Sequence, residues 1–356
     1  MIESIGRKME RVHRWRSYLM SGRNAVSYTG WLGHQNLGDE ILYEAAEECF
    51  ATVNLVSYPL SNRSFLNRLA ATKRHSLAVL GGGTLIGGHP PFERYKAELA
   101  KAKGGLVFGA GVSPLAPDAP IPPWLENWGS VLRTLAYVGV RGPDSAATLA
   151  RVGVNAEVLG DPVCWFSQAE AYWQPKEKVM GLNVGQSNGS MYGDENTVQK
   201  VFADFAIAAM QRGWKIEFFC VWPEDLEVTR KVAAVAGFKN PTIHCIYQNA
   251  RVYQDRVRRM KVYVGIKLHA VALAMSANVP SLMIEYRPKC MEFMNTMGMG
   301  AYVRRCDQIS VQNLLESLEA LETGGKDIAK KIRASMVPIQ QRLQRLGEQV
   351  KSGALI

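Results

Sequence analysis

Lys267-Leu268-His269 puts a cation and an imidazole where an apolar run, Val262 to Ile266, gives way to a small-residue helical stretch, Ala270 to Ala277. A second apolar run, Val279 to Ile284, follows, and then Tyr286 and Lys289. Read as strand, turn, helix and strand, the segment sets Lys267 and His269 at a strand's carboxyl end, the edge where open α/β sheets bind ligands. A helix starting at or near His269 brings the positive end of its dipole there, which suits an anion. The helix terminus and the neighbouring cation both disfavour imidazolium, so a neutral His269 able to act as a base is expected. Lys289, expected in a loop after the second strand, supplies a second positive charge.

Other strand ends carry further candidates. Gly30-Trp31-Leu32-Gly33-His34-Gln35-Asn36-Leu37-Gly38-Asp39-Glu40 closes the first strand and leads into a helix. Gly81-Gly82-Gly83-Thr84 closes another, and Gly109-Ala110-Gly111 a third. Three glycine-rich ends on one rim point to close backbone approach by something extended, as a saccharide would require. None matches a dinucleotide fingerprint or a phosphate-binding P-loop. Asp39 reads either as a helix cap or as a ligand residue. Arg141 ends the run AYVGVR and reads as an anion clamp or, alternatively, as the salt-bridge partner of a neighbouring acid. Asp161 ends AEVLGDP as a turn residue or a site carboxylate. Gly185-Gln186-Ser187-Asn188-Gly189 has the spacing of a nucleophile elbow, but the glycines and polar residues that follow prolong the loop before any helix. Ser187 is therefore read as a substrate-contacting residue.

These loops need a frame. Strand-like runs alternate with helical stretches from about Asn24, which predicts βαβ units and mainly parallel sheets. A polar stretch, Ser167 to Lys178, divides the pattern, so the expected fold is two tandem Rossmann-like α/β domains facing across a cleft, a GT-B-like arrangement. The expected division is a basic amphipathic helix over residues 1–23, an N-terminal domain over 24–170, a C-terminal domain over 171–325 and a last helix over 326–356. That last helix carries Pro338 as an expected kink and is free to pack back on the first domain.

The chain of 356 residues is 47% apolar and 21% charged, an ordinary globular balance. Its 42 basic against 32 acidic residues give +10, which favours anionic partners. Six scattered cysteines without CxxC spacing predict buried free thiols in a reducing cytoplasm. No apolar run is long enough to span a bilayer, and charges interrupt residues 1–23 in a way no signal peptide shows. That segment reads first as a helix packed on its own domain with its basic face in water, and second as one in peripheral contact with an anionic membrane surface. Without an HExxH motif or a clustered Cys/His set, no metal or cofactor is expected.

With those residues in view, the chain resembles the polysaccharide pyruvyl transferase family. The matching pieces are Asn36-Leu37-Gly38-Asp39-Glu40, Gly81-Gly82-Gly83, Gly109-Ala110-Gly111, and Val140-Arg141 with Ser145 and Leu149. Gly153-Val154, Asp161-Pro162, Gly265-Ile266-Lys267-Leu268-His269-Ala270, Val279-Pro280, Tyr286 and Lys289 continue the pattern. The resemblance implies transfer of the enolpyruvyl carbons of phosphoenolpyruvate onto two hydroxyls of a sugar, on a cell-surface polysaccharide or its lipid-linked precursor, to form a cyclic ketal. It implies that Arg141, Lys267, Leu268 and Lys289 bind the donor. Asn36, Gly38, Gly82, Gly83, Thr84 and Ser187 then face the acceptor, and His269 relays protons while Asp161 or Asp39 orients the sugar. This chain has Lys267 where the family carries arginine, keeping the charge without the bidentate fork. It also has Gly142 where the family carries aspartate.

Two other readings start from the same residues. A GT-B glycosyltransferase using a nucleotide-sugar needs an acidic residue placed for a ribose, and none stands out. A basic nucleic-acid binder would draw on Arg251, Arg256, Arg258, Arg259 and Lys261, yet no nucleic-acid module accompanies them. Nucleic acid is not an expected partner.

Overall fold

The computed structural model describes residues 16–355 apart from 21, 23, 52, 58–72, 89, 117, 169–174 and 188. Of the expected N-terminal helix, Arg16–Met20, which is helical, and Gly22 fall among them. Its remainder, and the middle of the expected linker, lie outside the described residues. By contacts the chain forms two compact units. The first takes in Met1–Gln35, Asp39–Trp165 and Ile339–Ile356; the second takes in Asn36–Gly38 and Phe166–Pro338.

The first unit holds β1 (Val26–Thr29), β2 (Leu55–Ser57), β3 (His75–Leu80), β4 (Gly83–Ile86), β5 (Ala102–Val112), β6 (Tyr137–Val140) and β7 (Glu157–Val158). All pair in parallel, in the order β2-β1-β3-β5-β6-β7, with β4 also on β5. The order reverses between β1 and β3, so this is the sheet's switch point. β4 carries on along β5 where β3 stops: Leu80 faces Val107 and Gly83 faces Ala110. Apolar strand residues pack beneath Tyr95, Leu125 and Trp128 to build one core. Helix Pro91–Leu99 stops short of β5, because Ala102 already pairs with His75 as the start of that strand.

The second unit holds β8 (Val179–Asn183), β9 (Lys215–Cys220), β10 (Ile243–Cys245), β11 (Val262–Gly265), β12 (Ser281–Glu285) and β13 (Val303–Arg305). The parallel order is β10-β9-β8-β11-β12-β13, with its reversal between β8 and β11. Helix Leu268–Ser276 is buried all round except at His269, which its run of alanines permits. Helices Leu226–Val235 and Pro288–Thr296 also belong to this unit. Cys245 is exposed because β10 is an edge strand, which corrects the expectation of six buried thiols; the other five are buried.

The last helix, Gly325–Ser352, continues through Pro338. Beyond Pro338 it packs with the first unit. Arg342 Nε donates to Leu159 O at 3.2 Å, Gln340 Nε2 to Trp165 O at 2.8 Å, and Cys49 Sγ meets Leu343 O at 3.1 Å. Among the described residues no helix is long and apolar enough to cross a membrane.

Candidate active site

In the second unit the switch point lies where β8 and β11 end, and one buried amide ties them together. Asn183 Oδ1 accepts the Lys267 N–H at 2.9 Å, and its Nδ2 donates to Phe219 O of β9 at 2.9 Å. The three strand ends thus become one rigid edge. Lys267 turns inward from that edge. Its Nζ meets Asp225 Oδ1 at 3.1 Å and donates to Gln186 O at 2.6 Å, with the Trp222 ring 5.3 Å away. Asp225 is fully buried and also accepts the Gln186 N–H at 3.1 Å. Burial raises its carboxyl above the ordinary range, against the pull of Lys267. A Cβ at Gly185 would run into the Lys267 chain and Asp225, so glycine at 185 is what lets this pair close.

His269 stands in the first turn of helix Leu268–Ser276, half-buried, next to the buried Leu268. Lys267 is the N-cap residue and supplies no side-chain cap. Residues Asn36–Gly38 belong to this unit: Leu37 N–H donates to Val221 O at 2.9 Å, and a Cβ at Gly38 would collide with His269 Nδ1. Asn36 Oδ1 accepts the Gly38 N–H at 3.0 Å, so Asn36 caps helix Leu37–Cys49. Asp39, for which a cap was one of two readings, lies inside the first turn instead.

Tyr286 follows β12 and gathers cations. Lys289 Nζ is 5.1 Å from its ring centroid, the Arg287 guanidinium 5.3 Å and Lys267 Nζ 6.0 Å. Lys289 belongs to the first turn of helix Pro288–Thr296 rather than to a loop, because Pro288 is preset for a helix start. Arg287 donates from Nε to Ser190 O at 3.1 Å and from Nη2 to Ser187 O at 3.3 Å. Ser187 gives both its N–H, at 2.7 Å, and its hydroxyl, at 2.5 Å, to Glu195 Oε1. Burial raises the Glu195 carboxyl, but those two bonds, the Gly189 N–H and the Lys267 charge outweigh it and leave it low. A serine held this way is a loop anchor.

In the first unit Arg141 is only 1% exposed and lies against Gly111, where any Cβ would strike its guanidinium. Its Nη1 reaches Thr84 Oγ1 at 3.5 Å. Asp161 is buried, and its Oδ1 accepts the Val163 N–H at 3.0 Å, which starts the 3-10 turn Pro162–Phe166. The glycine rim proves to be filled from within. Tyr28 occupies the space beside Gly81, Leu42 and Pro162 that beside Gly82, and Pro162 that beside Gly109. Glycine there makes room for the unit's own side chains, which corrects the argument from open backbone. Gly83 differs: its φ is +90° and its nearest neighbour is Asp39 Oδ1, 3.3 Å from where a Cβ would sit.

The residues that sequence reasoning missed are Asn183, Trp222, Asp225, Glu195 and Arg287. Asn183 left a trace, a polar residue closing the apolar run VMGLN. The partners of Asp225 and Glu195 lie far along the chain or across a loop and left none. Among the described residues no group of three or more His, Cys, Asp or Glu side chains is gathered as a metal site requires.

Two parallel sheets, each with its polar residues at the carboxyl edge of a switch point, define a tandem Rossmann-like protein of the GT-B kind. Solved structures share that architecture. A Listeria monocytogenes protein assigned as a UDP-N-acetylglucosamine 2-epimerase aligns with a TM-score of 0.58 at 13% identity, over 93% of this chain and 96% of its own. S. aureus MnaA, solved with UDP, aligns at 0.56 and 11% identity over 93% and 96%. No curated protein sequence matches this chain. The polysaccharide pyruvyl transferase family model matches residues 36–288, and the chain belongs to that family of transferases.

Proposed function

We propose that this chain transfers the three-carbon unit of phosphoenolpyruvate onto two hydroxyls of a saccharide, forming a pyruvate ketal and releasing phosphate. The supporting observation is the second unit's switch point: a half-buried imidazole heads a helix at a strand edge that also carries Tyr286 and its three cations. A donor with a carboxylate and a phosphate needs such positive potential, and a histidine to move protons.

The chemistry balances without a further reactant. One hydroxyl proton goes to the methylene carbon, making it a methyl group and C2 an oxocarbenium-like centre. The first sugar oxygen bonds to C2 and the C2–O bond to phosphate breaks. The second oxygen closes the ketal, and its proton leaves with phosphate. His269 is the proposed relay for these protons. Lys289 and Arg287 are the proposed donor contacts. Lys267, engaged by Asp225 and Gln186, shapes the loop and adds its charge. For the acceptor, Asp39, beside Gly83, or Asp161, whose Oδ1 accepts the Val163 N–H, is the proposed orienting carboxylate. A polysaccharide or lipid-linked precursor met in the cytoplasm, with residues 1–23 touching an anionic membrane, completes the proposal.

The test is phosphate release from phosphoenolpyruvate with saccharide acceptors, with the ketal followed by mass spectrometry. His269→Ala is expected to lower the rate by about 10²–10⁴-fold with an unchanged melting curve. Release of nucleoside diphosphate from nucleotide-sugars instead would favour glycosyl transfer.

A further inference from the structure

Trp31 is the only aromatic residue exposed among the described residues, at 37%. It follows β1 directly at the first sheet's switch point, where ligands of such sheets bind. Its indole stacks on His34, ring centroids 4.4 Å apart and planes 17° from parallel. The loop beneath is built to hold that stack. Gly33 N–H donates to the buried Glu40 carboxylate at 2.7 Å, Gly33 and Gln35 adopt positive φ of 79° and 55°, and Gly30 lies on the Tyr28 ring.

We infer that Trp31, backed by His34, is the stacking platform for a pyranose ring of the saccharide acceptor. A pyranose is amphipathic: its axial C–H bonds form an apolar face, and its hydroxyls lie around the rim. An indole face covers the first and leaves the second free to react. This is an acceptor-specificity role for Trp31, and it rests on the proposed function only in naming the sugar as acceptor.

Saturation-transfer NMR on the full chain, with methyl glycosides of glucose, galactose, mannose and N-acetylglucosamine as probes, tests it without donor. At least one glycoside is expected to bind the native chain. Trp31→Ala should weaken that binding about five- to tenfold, and Trp31→Phe less than about threefold. His34→Ala, which leaves the indole in place, should weaken it about twofold to threefold. No binding to the native chain, or equal binding by Trp31→Ala, overturns the inference. Trp31-dependent binding without phosphate release from phosphoenolpyruvate leaves the platform standing and the donor reading refuted. Ketal formation that ignores Trp31 does the reverse.

Discussion

At the carboxyl edge of the first sheet, glycine leaves room that the unit's own large groups fill: the Tyr28 ring, the Arg141 guanidinium and the Pro162 ring. At the edge of the second sheet the filling is polar, with Asn183, Lys267, Asp225 and the Gln186 peptide bonded to one another. The first edge is held by packing and is sensitive to added volume. The second is held by charge and is sensitive to lost partners and to pH. The same glycine-rich appearance in sequence therefore conceals two kinds of rigidity.

The largest stability effect should come from the second edge. Lys267→Met leaves Asp225 buried without its ion pair, and a loss of about 3 kcal/mol in urea unfolding is expected near pH 8. Burial already raises the Asp225 carboxyl in the folded state. The folded chain thus holds that proton more firmly than the unfolded one, and stability falls as pH rises through the folded value. Removing the ammonium raises the carboxyl further, so the loss in Lys267→Met should be smaller near pH 5 than near pH 8. Adding Asp225→Asn should recover most of it; a pH-independent loss would show that the edge is not held by this charge.

At the first edge Gly81→Ala should cost about 1–3 kcal/mol, because the new methyl meets the Tyr28 hydroxyl and ring. Tyr28→Phe in that background should restore part of the stability, with little dependence on pH. Equal pH dependence in both variants would erase the contrast between the edges. Smallest are the helix caps: Asn36→Ala and Asp194→Ala should each cost about 1 kcal/mol. Only Asn36→Ala should also slow transfer, because Gly38, which Asn36 holds, lies against His269.

Much of this was legible in sequence. Apolar runs of four to six residues marked nearly every strand, and the Lys267-Leu268-His269 turn marked a strand end that proves to lie at the second switch point. What stayed hidden were groups whose meaning depends on distant partners. Asp225 sits in an ordinary WPEDLE stretch and becomes a buried counter-ion only when β9 is set beside β8. Nothing in the sequence marked Arg287, whose bonds go to the carbonyls of Ser187 and Ser190, about a hundred residues away. The glycine rim misled because sequence reports missing side chains but not who occupies the space. Trp31 was visible throughout, yet only burial distinguishes an exposed indole from a core one.

The most direct test of the account is isotopic. Phosphoenolpyruvate labelled with ¹³C at C2 is incubated with the full chain and a saccharide acceptor and followed by NMR. The account predicts a ketal carbon signal growing in step with free phosphate, lost in His269→Ala. Phosphate release with only free labelled pyruvate, or label transfer undiminished in His269→Ala, would contradict it.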